Sequence, residues 1–290
     1  MIADVDNDST VYLNGEYLRL GDARISVLDR GFIFGDGIYD VVPAYHGRPF
    51  RMDDHLARLE RSLASIGIEV AMQRADWEYL VTDLIERSGL RDCMVYIQVT
   101  RGVAARDHAF PKQARPTVFC MVSPFVRPGA AQREQGLSAV SIPDLRWLRC
   151  EIKSVSLLGN VLAKQAAVDA GVDEVLQFRD GCLSEGASSN VWIVKDHVLL
   201  APPRNNLILE GIRYRLLEEL ALQASVPFEA RAISESEVDD ADEILMTSAT
   251  KEVLPITRYN GSAVGDGKPG PVYEKLRKGY DQAIRNLEQA

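Results

Sequence analysis

Arg146-Trp147-Leu148-Arg149-Cys150-Glu151-Ile152-Lys153-Ser154-Val155-Ser156-Leu157-Leu158-Gly159-Asn160, near the middle of the chain, sets one lysine among apolar residues. Ile152 precedes Lys153, and Val155, Leu157, Leu158, Val161 and Leu162 follow closely. Ser154 and Ser156 read as N-caps of the helix this run announces, which puts Lys153 where a strand hands over to a helix. Burial there would disfavour the ammonium form and leave a nucleophilic amine able to form a Schiff base. Most lysines in such a run bury only their stems and carry the charge out to water, so other segments must decide. Lys164, further along the same helix, is open to the same reading.

The composition bounds the class of protein. A chain of 290 residues suits one large domain or two ordinary ones, and 46% hydrophobic with 26% charged content is that of a soluble globular protein. A net charge of −9 argues against a nucleic-acid surface, which needs a basic stripe. The run Met1 to Asp8 is acidic where a secretion signal is basic and then apolar, and no apolar run approaches membrane-spanning length. Cys93, Cys120, Cys150 and Cys182 contain no C-x-x-C pair, which speaks against a metal or a disulfide framework and suits a reduced cytoplasm.

Outward toward the N-terminus, Val11-Tyr12-Leu13, Asn14-Gly15 and Glu16-Tyr17-Leu18 read as a hairpin, Asn-Gly being the strongest short signal for one. Gly31, Gly35 and Gly37 do not have the G-x-G-x-x-G spacing of a dinucleotide site, and a strand carrying Tyr39 follows them. Asp53 or Asp54 caps an expected helix with Leu56, Leu59, Leu63 and Ile66 on one face and Arg58 beside it. A second helix is expected from about Asp76 to Glu86, and residues 94–100 and 117–122 read as buried strands. Between those strands, Arg106 and His108 stand two apart, so an extended loop would point them the same way and let them clamp a carboxylate. Pro124, Pro128 and Gly129 mark a linker.

Outward toward the C-terminus, Glu174 to Phe178 is a strand, and Glu185 stands among small residues before the apolar strand at Val191 and Trp192. A carboxylate there can pair with a heterocyclic nitrogen and hold its proton. Leu207 to Arg213 leads into a helix whose first N–H groups suit a phosphate, with Thr247 to Thr250 as further donors. An amphipathic helix from about Val272 to Leu287 closes the chain.

Five stretches in this order make a recognisable set: Arg30-Gly31 through Tyr39, Arg106-x-His108, Trp147 through Lys153, Leu162-Ala163-Lys164-Gln165, and Glu185 through Asn190. The chain resembles the fold-type IV pyridoxal-phosphate aminotransferases over nearly its whole length, and most closely the D-amino-acid aminotransferases. The resemblance implies an α/β (α+β) fold with a small N-terminal domain (1–126), a linker (127–132) and a larger domain with a barrel-like β core (133–290). It implies pyridoxal 5′-phosphate as cofactor, no metal, amino and 2-oxo acids as substrates, and a cytoplasmic homodimer with shared sites. Lys153 would then hold the cofactor and shuttle the proton, Glu185 face the pyridine nitrogen and Leu209 pack on the ring. Arg58, Ile212, Arg213, Ser248 and Ala249 would surround the phosphate, and Tyr39, Arg106 and His108 would trap the substrate carboxylate. Three positions depart from the pattern: Asp40 replaces a glutamate, and Arg213 and Ala249 replace threonines. The alternatives within the family are a related fold-type IV lyase or amine transaminase, which the Arg-x-His clamp disfavours, and the branched-chain L-amino-acid aminotransferases. The branched-chain enzymes carry a tyrosine where this chain has Leu158, and they lack the Arg-x-His clamp.

Overall fold

The computed structural model describes residues 6–289; of the acidic N-terminal run, Met1 to Val5 lie outside the described residues. The chain forms two compact units. The first holds the chain to Val126, Ile152–Ser156 and the residues from Leu287; the second holds Arg127–Glu151 and Leu157–Asn286.

In the first unit, β1 (Thr10–Leu13) and β2 (Glu16–Arg19) form the expected hairpin, its turn residues Asn14 and Gly15 at φ 52 and 102. A short helix α1 (Arg30–Phe34), capped by the Asp29 carboxylate, precedes β3 (Gly37–Tyr45) and β4 (Arg48–Pro49). Helices α2 (Met52–Ser65) and α3 (Arg74–Ser88) follow, then β5 (Cys93–Thr100) and β6 (Thr117–Pro124). The sheet order is β2-β1-β6-β5-β3-β4 and every pairing is antiparallel. Leu56, Leu59 and Leu63 of α2 and Trp77, Leu80 and Leu84 of α3 meet Ile38, Val42, Val95, Ile97 and Val99 of the sheet in one core. That is the helical spacing of the leucines closing on the two-residue alternation of the strands.

The second unit opens with α4 (Ala130–Glu134), so the stretch read as a linker is partly helical. There follow β7 (Leu137–Pro143), α5 (Leu158–Asp169), β8 (Glu174–Arg179), β9 (Cys182–Gly186), β10 (Asn190–Lys195) and β11 (Val198–Ala201). Then come α6 (Ile212–Gln223), β12 (Phe228–Ala230), α7 (Glu235–Asp239), β13 (Glu243–Ser248), β14 (Glu252–Tyr259), β15 (Ser262–Ala263) and α8 (Pro271–Gln289). The order β12-β11-β10-β13-β14-β7-β8-β9 places β9 last and β10 third, yet these two strands touch, so the sheet curls on itself as a half-barrel. Leu176, Val191, Ile193, Ile244, Met246, Leu254 and Ile256 fill its interior.

Three local expectations give way to tertiary contacts. No strand runs into Lys153: residues 144–157 form no helix or strand. Ser154 and Ser156 do not cap α5, whose N-cap is Leu157 without a side-chain bond. The Ser154 hydroxyl instead accepts from the Ser156 N–H at 3.3 Å, and the Ser156 hydroxyl donates to the Gly35 carbonyl at 2.9 Å. Gly35, at φ 67, leaves room for that approach, since a Cβ there would sit 2.5 Å from Ser156 Oγ. Likewise α2 is capped not by Asp53 or Asp54 but by Arg51 at φ 60, with both aspartates in the first turn; Arg51 Nε is held by Asp54 at 2.6 Å.

Candidate active site

In the first unit, Ile152 enters the core and draws its neighbours onto the edge of β3. The Tyr39 N–H donates to the Lys153 carbonyl at 2.9 Å, the Val155 N–H to the Gly37 carbonyl at 3.0 Å, and Ser154 bridges Ile38. Lys153 is thereby fixed against the strand carrying Tyr39. Its Nζ lies 4.1 Å from the centroid of the Tyr39 ring, which stacks on Tyr96. Lys153 is half-buried and has no carboxylate partner among the described residues, so its amine is not tied into an ion pair. Lys164, by contrast, is exposed on α5 and donates to the Asp173 carbonyl at 2.6 Å.

Asp40, next along β3, points to the opposite face. There its buried carboxylate accepts Arg58 Nε at 2.9 Å and Nη2 at 2.8 Å and meets His55 Nδ1 at 2.7 Å. Burial works to raise the Asp40 pKa, but Arg58 and His55 drive it far below the carboxylate range. Two of the five N–H donors of Arg58 are thus committed to Asp40, a contact the sequence reading had not given it.

Arg106 and His108 sit exposed on the loop between β5 and β6, both against the ring of Phe34, at 5.5 and 5.3 Å. The base of that loop is held from below. Arg30 donates to the Asp107 and His108 carbonyls and, through Nε, to Asp36 at 2.7 Å. Arg101 also binds Asp36, and its guanidinium stacks 3.6 Å from the Phe110 ring centroid. Arg30, Asp36 and Arg101 received no role from the sequence, although Arg30 and Asp36 lie in one of the recognised stretches.

In the second unit, Glu185 ends β9 almost wholly buried. Arg146 pairs with its Oε1; the Leu209 N–H donates to Oε2 at 2.9 Å and Asn190 Nδ2 lies 3.4 Å away. Burial is the stronger influence and pushes the Glu185 pKa above its ordinary 4.5, with Arg146 and the Leu209 N–H pulling against it. A cationic ring nitrogen facing this carboxylate would pull further in the same direction as Arg146.

Arg146 is a further residue to which the sequence reading gave no role. Asp144 and Arg146 alternate two apart, which was the available signal. Asp144 grips Arg146 through Nε at 2.9 Å and Nη2 at 2.8 Å, and Arg179 adds a contact at 3.1 Å. Burial works to raise the Asp144 pKa, but the bonds and charge of Arg146 prevail and bring it from 3.8 to about 2. A depressed carboxyl stabilises the fold above its unfolded value and loses that contribution as pH falls through the folded one. Asp144→Asn is therefore expected to cost about 2 kcal/mol at pH 7. The deficit should shrink between about pH 4 and pH 2, as read by urea unfolding of both proteins across that range.

Leu209 is half-buried just before α6, and Ile212 and Arg213 are the first residues of that helix. The α6 N-cap, Gly211, offers no side-chain acceptor, and the first turn carries no acidic residue. The Tyr214 N–H donates back to the Gly211 carbonyl at 2.9 Å, and a helix start without a side-chain cap is the kind of end that receives a phosphate. Arg213 turns its side chain inward, donating from Nε to the Tyr280 hydroxyl at 3.1 Å. Ser248 ends β13; its hydroxyl accepts from the Lys251 N–H at 3.0 Å across a turn containing Ala249. In the second unit, a buried carboxylate and a helix start without a side-chain cap have the chemistry that suits a pyridine nitrogen and a phosphate; in the first, Lys153 has the chemistry that suits an aldehyde. Among the described residues no His/Cys/Asp/Glu cluster suits a metal ion, and no helix is long and apolar enough to cross a membrane.

The sequence model of the family Amino-transferase class IV matches residues 37–259, and the chain belongs to this family. A D-alanine aminotransferase of Staphylococcus epidermidis is 39% identical over 277 residues, covering 95% of this chain and 98% of its own. One of Bacillus licheniformis is 37% identical, covering 94% and 96%. The fold matches that of the branched-chain amino acid aminotransferase of Escherichia coli, with TM-score 0.90, 24% identity and coverage of 95% and 94%. A branched-chain amino acid aminotransferase of T.th., solved with pyridoxamine 5′-phosphate, matches with TM-score 0.89 and 23% identity, covering 97% and 95%.

Proposed function

We propose that this protein is a D-amino-acid aminotransferase, which moves the amino group of D-alanine and related D-amino acids to a 2-oxo acid such as 2-oxoglutarate. The observation that carries the reading is the pairing of a buried, donor-held Glu185 with the uncapped start of α6, in a chain so similar along its length to D-alanine aminotransferases. Bound pyridoxal 5′-phosphate supplies the electron sink that makes a substrate Cα acidic. Lys153 holds the cofactor, takes the Cα proton on Nζ and returns it, first as base and then as acid. Glu185, steadied by Arg146, keeps the proton on the ring nitrogen. The N–H groups of Ile212 and Arg213, with Ser248, Ala249 and Arg58, receive the phosphate. Leu209 covers the ring.

Arg106, His108 and Tyr39 bind the substrate carboxylate, and the exposure of the Arg106 loop suits a clamp that serves a partner subunit in a homodimer. A cytoplasmic location fits substrates of this kind and the spacing of the four cysteines. The branched-chain reading has the fold likeness behind it, but Leu158 and the Arg106-x-His108 pair oppose it. The deciding assay supplies the purified holoprotein with D-alanine or L-leucine and 2-oxoglutarate. Pyruvate and D-glutamate should form from the first pair, and turnover of L-leucine alone would overturn the proposal.

A further inference from the structure

Three separate pieces of the second unit are assigned to the cofactor: Glu185 at the end of β9, the Leu209–Arg213 segment, and Ser248 at the end of β13. The first two meet at one side chain that has no assigned part, Asn190. It is 6% exposed and opens β10. Its backbone pairs with Thr247, the neighbour of Ser248. Its Nδ2 donates to the Leu209 carbonyl at 2.8 Å and reaches Glu185 Oε2 at 3.4 Å, while its Oδ1 accepts the N–H of Gly211, the α6 N-cap, at 3.2 Å. The neutral amide donates through one atom and accepts through the other; aspartate would lose the donors and face Glu185 as a like charge. The turn before Asn190 is equally constrained. Buried Glu174 accepts from the Ala187 N–H at 3.1 Å and the Ser189 hydroxyl at 2.9 Å, and Gln177 donates to the Gly186 carbonyl. Gly211 shows how close the contact is, since a Cβ there would collide with Asn190 Oδ1 and with little else.

We infer that Asn190 is a positioning residue that holds the carboxylate facing the ring nitrogen in register with the helix end facing the phosphate. This rests on the cofactor reading above. One ligand spanning two contacts gains from both only while their spacing is kept, so loosening the tie penalises the ligand that needs both ends.

The test is equilibrium dialysis of the full-length protein, freed of cofactor beforehand, against pyridoxal 5′-phosphate and, separately, against phosphate-free pyridoxal. Asn190→Ala should weaken the phosphorylated compound by roughly tenfold, the size of one or two lost hydrogen bonds, and pyridoxal by less than about twofold. Gly211→Ala, whose backbone at φ −66 and ψ 147 suits alanine, should do the same by pushing the amide aside. The double variant, with the collision removed, should stay near the single variants rather than multiply to about a hundredfold. Equal weakening of both compounds, multiplied losses, or parental affinity in Gly211→Ala would each overturn the inference, the last even if Asn190→Ala did not fold. A parent that retains no pyridoxal 5′-phosphate would overturn the cofactor reading itself, and the inference with it.

Discussion

Lys153→Ala is expected to end transamination. The reason is chemical: in the proposed function the same amine both holds the cofactor and carries the proton. Removing a positioned general base alone lowers rates by roughly 10²–10⁴-fold, and loss of the covalent attachment adds to that. Tyr39, whose ring centroid lies 4.1 Å from Nζ, offers a phenol hydroxyl and no amine that could form a Schiff base. Steady-state assays with D-alanine give the size of the loss. Borohydride reduction of the parent holoprotein followed by peptide mass analysis gives the site, with the pyridoxyl group expected on Lys153. Recovery of that group on Lys164 would show that the mid-chain lysine had been assigned wrongly. The geometry disfavours that outcome, because Lys164 is exposed and already donates to Asp173.

Arg106→Leu should come second in size. Breaking a desolvated arginine–carboxylate contact costs about 2–5 kcal/mol, equivalent to roughly thirty- to several-thousand-fold in kcat/KM. The visible band of the bound cofactor should be unaltered, since Arg106 stands against Phe34, a residue with no assigned part in holding the cofactor. Co-expression with Lys153→Ala tests which subunit the clamp serves. A mixed dimer has one site that can take its lysine from one chain and its clamp from the other, so activity should return in the purified heterodimer. A heterodimer that folds but stays inactive would mean that each clamp serves its own subunit.

The loop bearing Arg106 owes its shape to groups that cannot be ranked by reading along the chain. Arg30, Asp36 and Arg101 look like ordinary charges in sequence. In the fold Arg30 and Arg101 share the Asp36 carboxylate, and Arg30 carries the carbonyls of Asp107 and His108, 77 and 78 residues away.

Features under short-range control were legible along the chain. Asn14-Gly15 makes its hairpin because two successive residues must take positive φ, which asparagine and glycine tolerate. The leucines of α2 and the alternation in β5 and β6 set one apolar face each, and those elements form where the pattern places them. The order of the five family stretches, and with it the family, is also written along the chain. Long-range contacts set the rest. Ser154 and Ser156 have the chemistry of helix caps, yet the Ser156 hydroxyl is taken by a carbonyl 121 residues away. Glu185 is a buried acceptor only because Arg146, 39 residues away, and Leu209, 24 residues away, are brought to its two oxygens. A side chain's preferred local partner is set by positions two to four residues distant. When sheet register and core packing deliver a competing partner from afar, the bond made is the one that leaves the fewest buried polar groups unsatisfied.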